Sequence, residues 1–193
     1  MMSFRQGEAR PSGSDGSDFA HRERVAMHYK ISVLNKSRLK KIGALHASLF
    51  VLVLVSCLES LMKAVNMKPP AAVLDLRLPA AEPWQFMWLI SITSTVFGLL
   101  SLSKNASVLL KQCIVGNVVF GIMPVTYAVF YKGYELMDFV KERKVKAYVL
   151  GFPYVVLMFI FLTIAIQIHM FAIYFSMQLL KSWRSTTTNK KKK

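Results

Sequence analysis

The sequence predicts an all-α integral membrane protein with four transmembrane helices and cytosolic N- and C-termini. Two observations carry this. Four apolar blocks, residues 42–62, 84–102, 108–131 and 147–180, run without the polar stripe that an amphipathic helix of a soluble domain needs. The formal charge of +15 is gathered at the ends: residues 1–41 hold nine Lys/Arg against four acids, and the tail from Lys181 holds six against none. Basic residues beside a first span stay on the cytosolic side, and an even number of spans brings the chain back to it.

Residues 1–17 are rich in Gly, Ser and charge and cannot bury enough apolar surface to order themselves, so they are expected to be a disordered cytosolic segment. From 18 to 41 the sequence predicts a basic juxtamembrane helix, with Ser17 or Asp18 as cap and Glu23 close to the first turn. Val25, Tyr29 and Val33 form one stripe, surrounded by Arg22, Arg24 and Lys30. Such a helix is either a solvated linker or a surface for cytosolic lipid or a partner.

The first span is placed at 42–62, whose 21 residues make a helix of about 30 Å. A lumenal loop at 63–83 follows, broken by Pro69, Pro70, Pro79 and Pro83. The second span, 84–102, opens on Trp84 and Trp88, whose rings suit the membrane interface. A cytosolic turn at 103–107 leads into the third span, 108–131, where Pro124 should kink the helix. The loop at 132–147, with five basic and three acidic residues, falls on the lumenal side and is the one count against this orientation. The fourth block exceeds the bilayer thickness, so the span is set at 148–174 with its centre at 152–172. Helix should then carry on into the cytosolic tail, 175–193.

The intramembrane polar residues are His46, Glu59, Asn117, Gln167 and His169. His46 and Glu59 lie about 20 Å apart along one helix and roughly 220° apart around it, so they cannot act together. Glu59 has Lys63 at i+4, which predicts an interfacial ion pair. Gln167 and His169 are two apart and face different sectors, which favours hydrogen bonds across helices over a metal or proton-relay role. The alternative is a small membrane transporter or lipid-handling protein built on His46, Gln167 and His169. Cys57 and Cys113 fall inside apolar blocks and read as small buried hydrophobes. Ser-His-Asp logic, HExxH, a phosphate-cradling loop and paired carboxylates are all absent from the sequence, so no enzyme activity, cofactor or metal is expected. The excess charge forms no basic face interleaved with aromatics, so nucleic acid is not an expected partner. The sequons at Asn35 and Asn105 face the cytosol on this topology and read as chance matches.

Lys190 and Lys191 stand fourth and third from the carboxyl end, the spacing of a dilysine signal read by the COPI coat. The stretch from Asp15 to Phe19 and the run His21-Arg-Glu-Arg-Val-Ala-Met-His-Tyr29 together resemble the N-terminal signature of the Jagunal family. The likeness continues through Gly98-Leu-Leu-Ser101, Lys146-Ala-Tyr148, Gly151-Phe152, Gln167 with His169, Leu179-Leu180 and Ser182-Trp183. The resemblance implies a four-span endoplasmic reticulum protein that supports reticulum organisation and vesicle-mediated transport in the early secretory pathway. It implies retrieval through Lys190 and Lys191, and partner contacts are expected through Asp18, Phe19, His21, Arg22, Glu23, Arg24, His28 and Tyr29. The partners expected are the bilayer, the COPI coat, and secretory cargo or a second copy.

Overall fold

A computed structural model describes residues 17–76 and 78–190. Of the segment expected to be disordered, all but Ser17 lies outside the described residues, as does Lys191. Among the described residues, seven α-helices and one small hairpin follow in order: α1 Ser17–Ala64, α2 Ala71–Asp75, α3 Pro83–Leu89, α4 Ile92–Lys104, α5 Ser107–Gly116, α6 Met123–Glu142, β1 Tyr148–Val149, β2 Phe152–Pro153 and α7 Tyr154–Lys190. A π-helical turn, Asn117–Ile122, joins α5 to α6. Four helical stretches are long and apolar enough to cross a membrane: Val25–Ala64, Pro83–Lys104, Ser107–Glu142 and Tyr154–Trp183.

Three boundaries differ from the sequence reading. The helix expected at 18–41 and the span at 42–62 are one unbroken helix, α1, of 48 residues and about 72 Å. No Gly-Pro signal or cap interrupts it, because the basic collar is made of good helix formers. The loop expected at 132–147 is helical as far as Glu142, where Arg143 in the left-handed region ends α6. The fourth span starts at Tyr154, since 148–153 form the hairpin. Its two central residues, Leu150 and Gly151, both have positive φ, as a two-residue primed turn demands.

The second and third spans are not regular. Between α3 and α4 the bonds from Ser91 to Trp88 and from Ser94 to Ser91 are of the tighter i→i−3 kind. In the third span, Pro124 has no N–H to give. The preceding turn widens to π geometry, with Met123 N–H reaching Val118 at i−5. The proline's disturbance is thus absorbed one turn before it.

Helices α1 and α7 run antiparallel along one seam. On α7 the buried series Val155, Met158, Leu162, Ala165, His169, Ala172, Ser176, Leu179 advances by alternating steps of three and four, and on α1 Asn35, Leu39, His46 and Val53 keep the same seven-residue register. Steps averaging 3.5 keep a contact line facing its partner over many turns. The stripe expected from Val25, Tyr29 and Val33 is on another face and is exposed.

The interior is layered. One apolar cluster gathers Val53, Cys57, Trp84, Val125, Ala128 and Met158, and another gathers Leu39, Leu102, Leu110, Ala172 and Leu179. Between them lies a polar layer.

Candidate functional site

The polar layer is built from four spans. His46 comes from α1, Trp88 from α3, Ser91 and Thr95 from the tightened turn and the start of α4, Asn117 from the π-helical turn, and His169 from α7. His46 and His169, 123 positions apart in sequence, meet edge to face with ring centroids 4.8 Å apart. Trp88 stands beside both, 5.2 Å from His46 and 5.9 Å from His169.

Trp88 Nε1–H donates to His169 Nε2 at 2.9 Å, so that nitrogen carries a lone pair. The other, Nδ1, is then the N–H and donates to Asn117 Oδ1 at 2.8 Å. Asn117 spends its own amide on the Cys113 carbonyl at 2.8 Å. His46 is held through Nδ1 by Thr95 Oγ1 at 2.5 Å and through Nε2 by Ser91 Oγ at 3.0 Å. One donor and one acceptor per ring is the inventory of neutral imidazole. Among the described residues no buried side-chain polar atom lacks a partner. In hydrocarbon, where water cannot compensate, that completeness is what lets a polar layer exist.

Small residues make the layer possible. A Cβ on Gly121 would lie 2.5 Å from His169 Nδ1, one on Gly98 2.8 Å from Cys113 Sγ, and one on Gly116 would run into Ser94 Oγ. The helix backbones therefore approach as closely as glycine allows, the small-residue packing of membrane helices.

Of the residues on which an interior activity would rest, His46 and His169 are brought together, whereas Gln167 is exposed on the outer face of α7. Beside the layer, bounded by Leu39, Gly43, Thr95, Asn117 and Ala172, is a cavity of about 10 Å³, the room of a single water. Both histidines already use both nitrogens, and among the described residues no three His, Cys, Asp or Glu gather as a metal site would need. The layer's hydrogen bonds tie α1 to α4 and α7 to α3 and the π-helical turn.

The Trp84 and Trp88 rings are both buried within the bundle. Each indole N–H finds a protein acceptor: Trp88 bonds His169, and Trp84 bonds Glu82 at 2.9 Å. The expected pair of Lys63 with Glu59 is present at 2.6 Å. Cys57 and Cys113 are buried free thiols. A second ionic cluster closes the end carrying the hairpin. Lys132 bonds Glu82 and, at 2.9 Å, Glu135, and Lys146 reaches Glu135 at 3.0 Å. A cleft of about 550 Å³ opens over this cluster.

At the other end, α1 and α7 continue beyond the turn at Asn105 and stay joined. Trp183 Nε1 donates to Ser32 Oγ at 3.3 Å, the Lys36 ammonium sits 5.8 Å over the Trp183 ring, and Arg38 sits 5.5 Å over Phe175. Of the expected partner-binding residues, Phe19, Arg22, Glu23, His28 and Tyr29 are exposed on α1, Phe19 and Tyr29 by 72% and 73%. Asp18, His21 and Arg24 lie on the same helix, and their side chains are outside the described residues, as is that of Lys190 at the end of α7.

A four-span bundle with a closed polar interior, and with its exposed functional-group chemistry at its two ends, defines a multi-pass membrane protein. The chain belongs to the Jagunal family: residues 2–187 match the family described as "Jagunal, ER re-organisation during oogenesis". It is 37% identical to zebrafish (Danio rerio) protein jagunal homolog 1-B over 95% of this chain and 96% of that one. It is 31% identical to human (Homo sapiens) protein jagunal homolog 1 over the same shares, and 30% identical to Drosophila melanogaster protein jagunal over 93% and 94%.

Proposed function

We propose that this chain is a non-enzymatic endoplasmic reticulum protein that supports reticulum organisation and vesicle-mediated transport in the early secretory pathway. It acts through two cytosolic ends. The observation carrying this reading is the junction of Ser32 with Trp183, which holds the N-terminal signature helix and the lysine-ended α7 side by side. The family's description supports the reticulum part of the reading. The fifteen basic residues of 1–41 and 181–193 outnumber the five of 132–147, and this favours cytosolic termini.

On this reading the exposed face of α1 binds a partner of the secretory machinery, and Lys190 with Lys191 returns the protein from later compartments through the COPI coat. The double substitution Phe19→Ala with Tyr29→Ala touches no packed side chain, so expression and insertion should be unchanged while rescue of a null cell is lost. Full rescue would remove the N-terminal helix from the function. Replacing Lys190 and Lys191 by Ser, or following Lys193 with four alanines, should release the protein to post-reticulum membranes. An unchanged reticulum pattern in both would end the retrieval role of the tail.

A further inference from the structure

The outward face of α6 carries chemistry that the bundle leaves unused. Val125, Ala128 and Lys132 of this helix turn to the interior and are buried. Away from them Phe130, Tyr134 and Asp138 follow at i, i+4 and i+8, one stripe rising toward the end that carries the hairpin. Phe130 and Tyr134 are 76% and 81% exposed, and among the described residues neither ring meets another ring or a cation. Asp138 is exposed as well, and among the described residues no hydrogen bond or ion pair engages its carboxylate. The neighbouring ammonium groups are taken: Lys132 by Glu82 and Glu135, Lys144 by Glu142, and Lys146 by Glu135.

The height of this stripe follows from the third span. Helix α5 starts at Ser107, just after the turn on Asn105, and about 20 residues of helix cross the hydrocarbon, which brings the far edge to Tyr127. Phe130 and Tyr134 then stand roughly 5 and 10 Å beyond that edge, across a headgroup layer about 5–8 Å deep. The Asp138 side chain leans back toward the helix N-terminus, over the turn of Tyr134. On the membrane side the exposed surface of α6 continues through Tyr127 and Met123. Lipid headgroups are therefore the molecules that this stripe meets first.

We infer that Phe130, Tyr134 and Asp138 form a binding site for the quaternary ammonium of a choline phospholipid. A quaternary ammonium has no N–H to hold water, so open aromatic faces attract it, and a carboxylate beside them supplies the opposite charge. One contact of this kind already exists on the same helix, where the Lys132 ammonium sits 5.5 Å over the Tyr131 ring. Tyr127 and Tyr131 stack 5.6 Å apart on the membrane side of the stripe, where their hydroxyls can donate to the phosphate, which lies deeper than the choline. A headgroup without a cation would leave Asp138 facing a phosphate of its own sign. Such a site is independent of the traffic role and of which compartment this end faces.

The test uses the full chain in nanodiscs of phosphatidylcholine, phosphatidylethanolamine and phosphatidylglycerol in equal parts with matched acyl chains, and retained lipid is counted by native mass spectrometry. Wild type should retain phosphatidylcholine over both others. Phe130→Leu with Tyr134→Leu should reduce that preference at least about five-fold, since each open ring contributes roughly two- to five-fold. Asp138→Asn should weaken it too. Tyr134→Phe, which keeps the ring, and Phe19→Leu with Tyr29→Leu, at the other end, should behave as wild type. All of these side chains are exposed, so the fold should survive each change. Unchanged preference in the double Leu variant or in Asp138→Asn would overturn the site. Equal retention of phosphatidylethanolamine and phosphatidylcholine by wild type would overturn the quaternary-ammonium class, and a preference for phosphatidylglycerol would overturn its sign.

Discussion

Gly121→Ala is expected to be among the most damaging single-methyl changes in this protein. The new Cβ would meet the His169 ring on three atoms, at 2.5 Å from Nδ1, 2.6 Å from Cε1 and 2.7 Å from Cγ. That ring cannot step aside, because Trp88 holds one of its nitrogens and Asn117 the other, with His46 against its face. Alanine's better helix propensity returns at most about 1 kcal/mol, and overpacking a tight interior costs about 1–3 kcal/mol, so the clash wins. The thermal midpoint of the purified protein in detergent should fall by several degrees. Gly133→Ala is the internal control: nothing lies within 4 Å of the place its methyl would take, so the same chemical change should be neutral or slightly stabilising. In the double variant Gly121→Ala, His169→Ala the clash is gone, and its loss should be clearly smaller than the sum of the two single losses. A midpoint for Gly121→Ala equal to wild type would refute the close approach.

His169→Leu is the second large effect, and its value lies in a ranking. Leucine fills similar volume but leaves the Trp88 indole N–H and the Asn117 carbonyl oxygen without partners in an apolar layer. A stranded buried group costs about 1–3 kcal/mol in water-soluble proteins and less in membranes, where interhelical bonds average about 0.6 kcal/mol, so the combined loss should be about 1–3 kcal/mol. His46→Leu strands only the Ser91 and Thr95 hydroxyls, which can turn to carbonyls of their own helix, as Thr93 and Thr163 already do. It should cost less. Gln167→Leu, on the exposed face, should be neutral or stabilising. If Gln167→Leu proved as damaging as His169→Leu, the assignment of the polar layer to helix packing would fail, and an interior activity would return as the better account.

Much of the architecture was legible because bilayer physics acts on short windows. Apolar length alone locates four spans, and i, i+4 spacing alone pairs Glu59 with Lys63, since both depend only on neighbours in sequence. The α1–α7 seam was also written in the chain, as alternating steps of three and four from Val155 to Leu179. Long apolar blocks hide it, because lipid-facing and packed positions are equally apolar and no polar stripe marks the difference. The polar layer was less legible. His46, Asn117 and His169 stand out as polar residues in apolar blocks, but nothing local says that His46 meets His169 while Gln167 faces outward. Trp84 and Trp88 likewise stand out near a span's start, but nothing local says that Glu82 and His169 take their indole N–H groups.

The sequence by itself determined that this chain crosses a membrane four times, that its basic residues crowd its ends, and that it carries the marks of its family. Each of these depends on composition within a window no longer than one helix. Only the tertiary structure decided that α1 is continuous through its collar, that the third span yields at Asn117–Ile122 ahead of Pro124, and that the two termini travel together as far as Ser32 and Trp183. The reason is that hydrogen bonds in a bilayer must be completed inside the protein. A polar side chain's place is therefore set by which distant helix offers it a partner, and that is a property of packing.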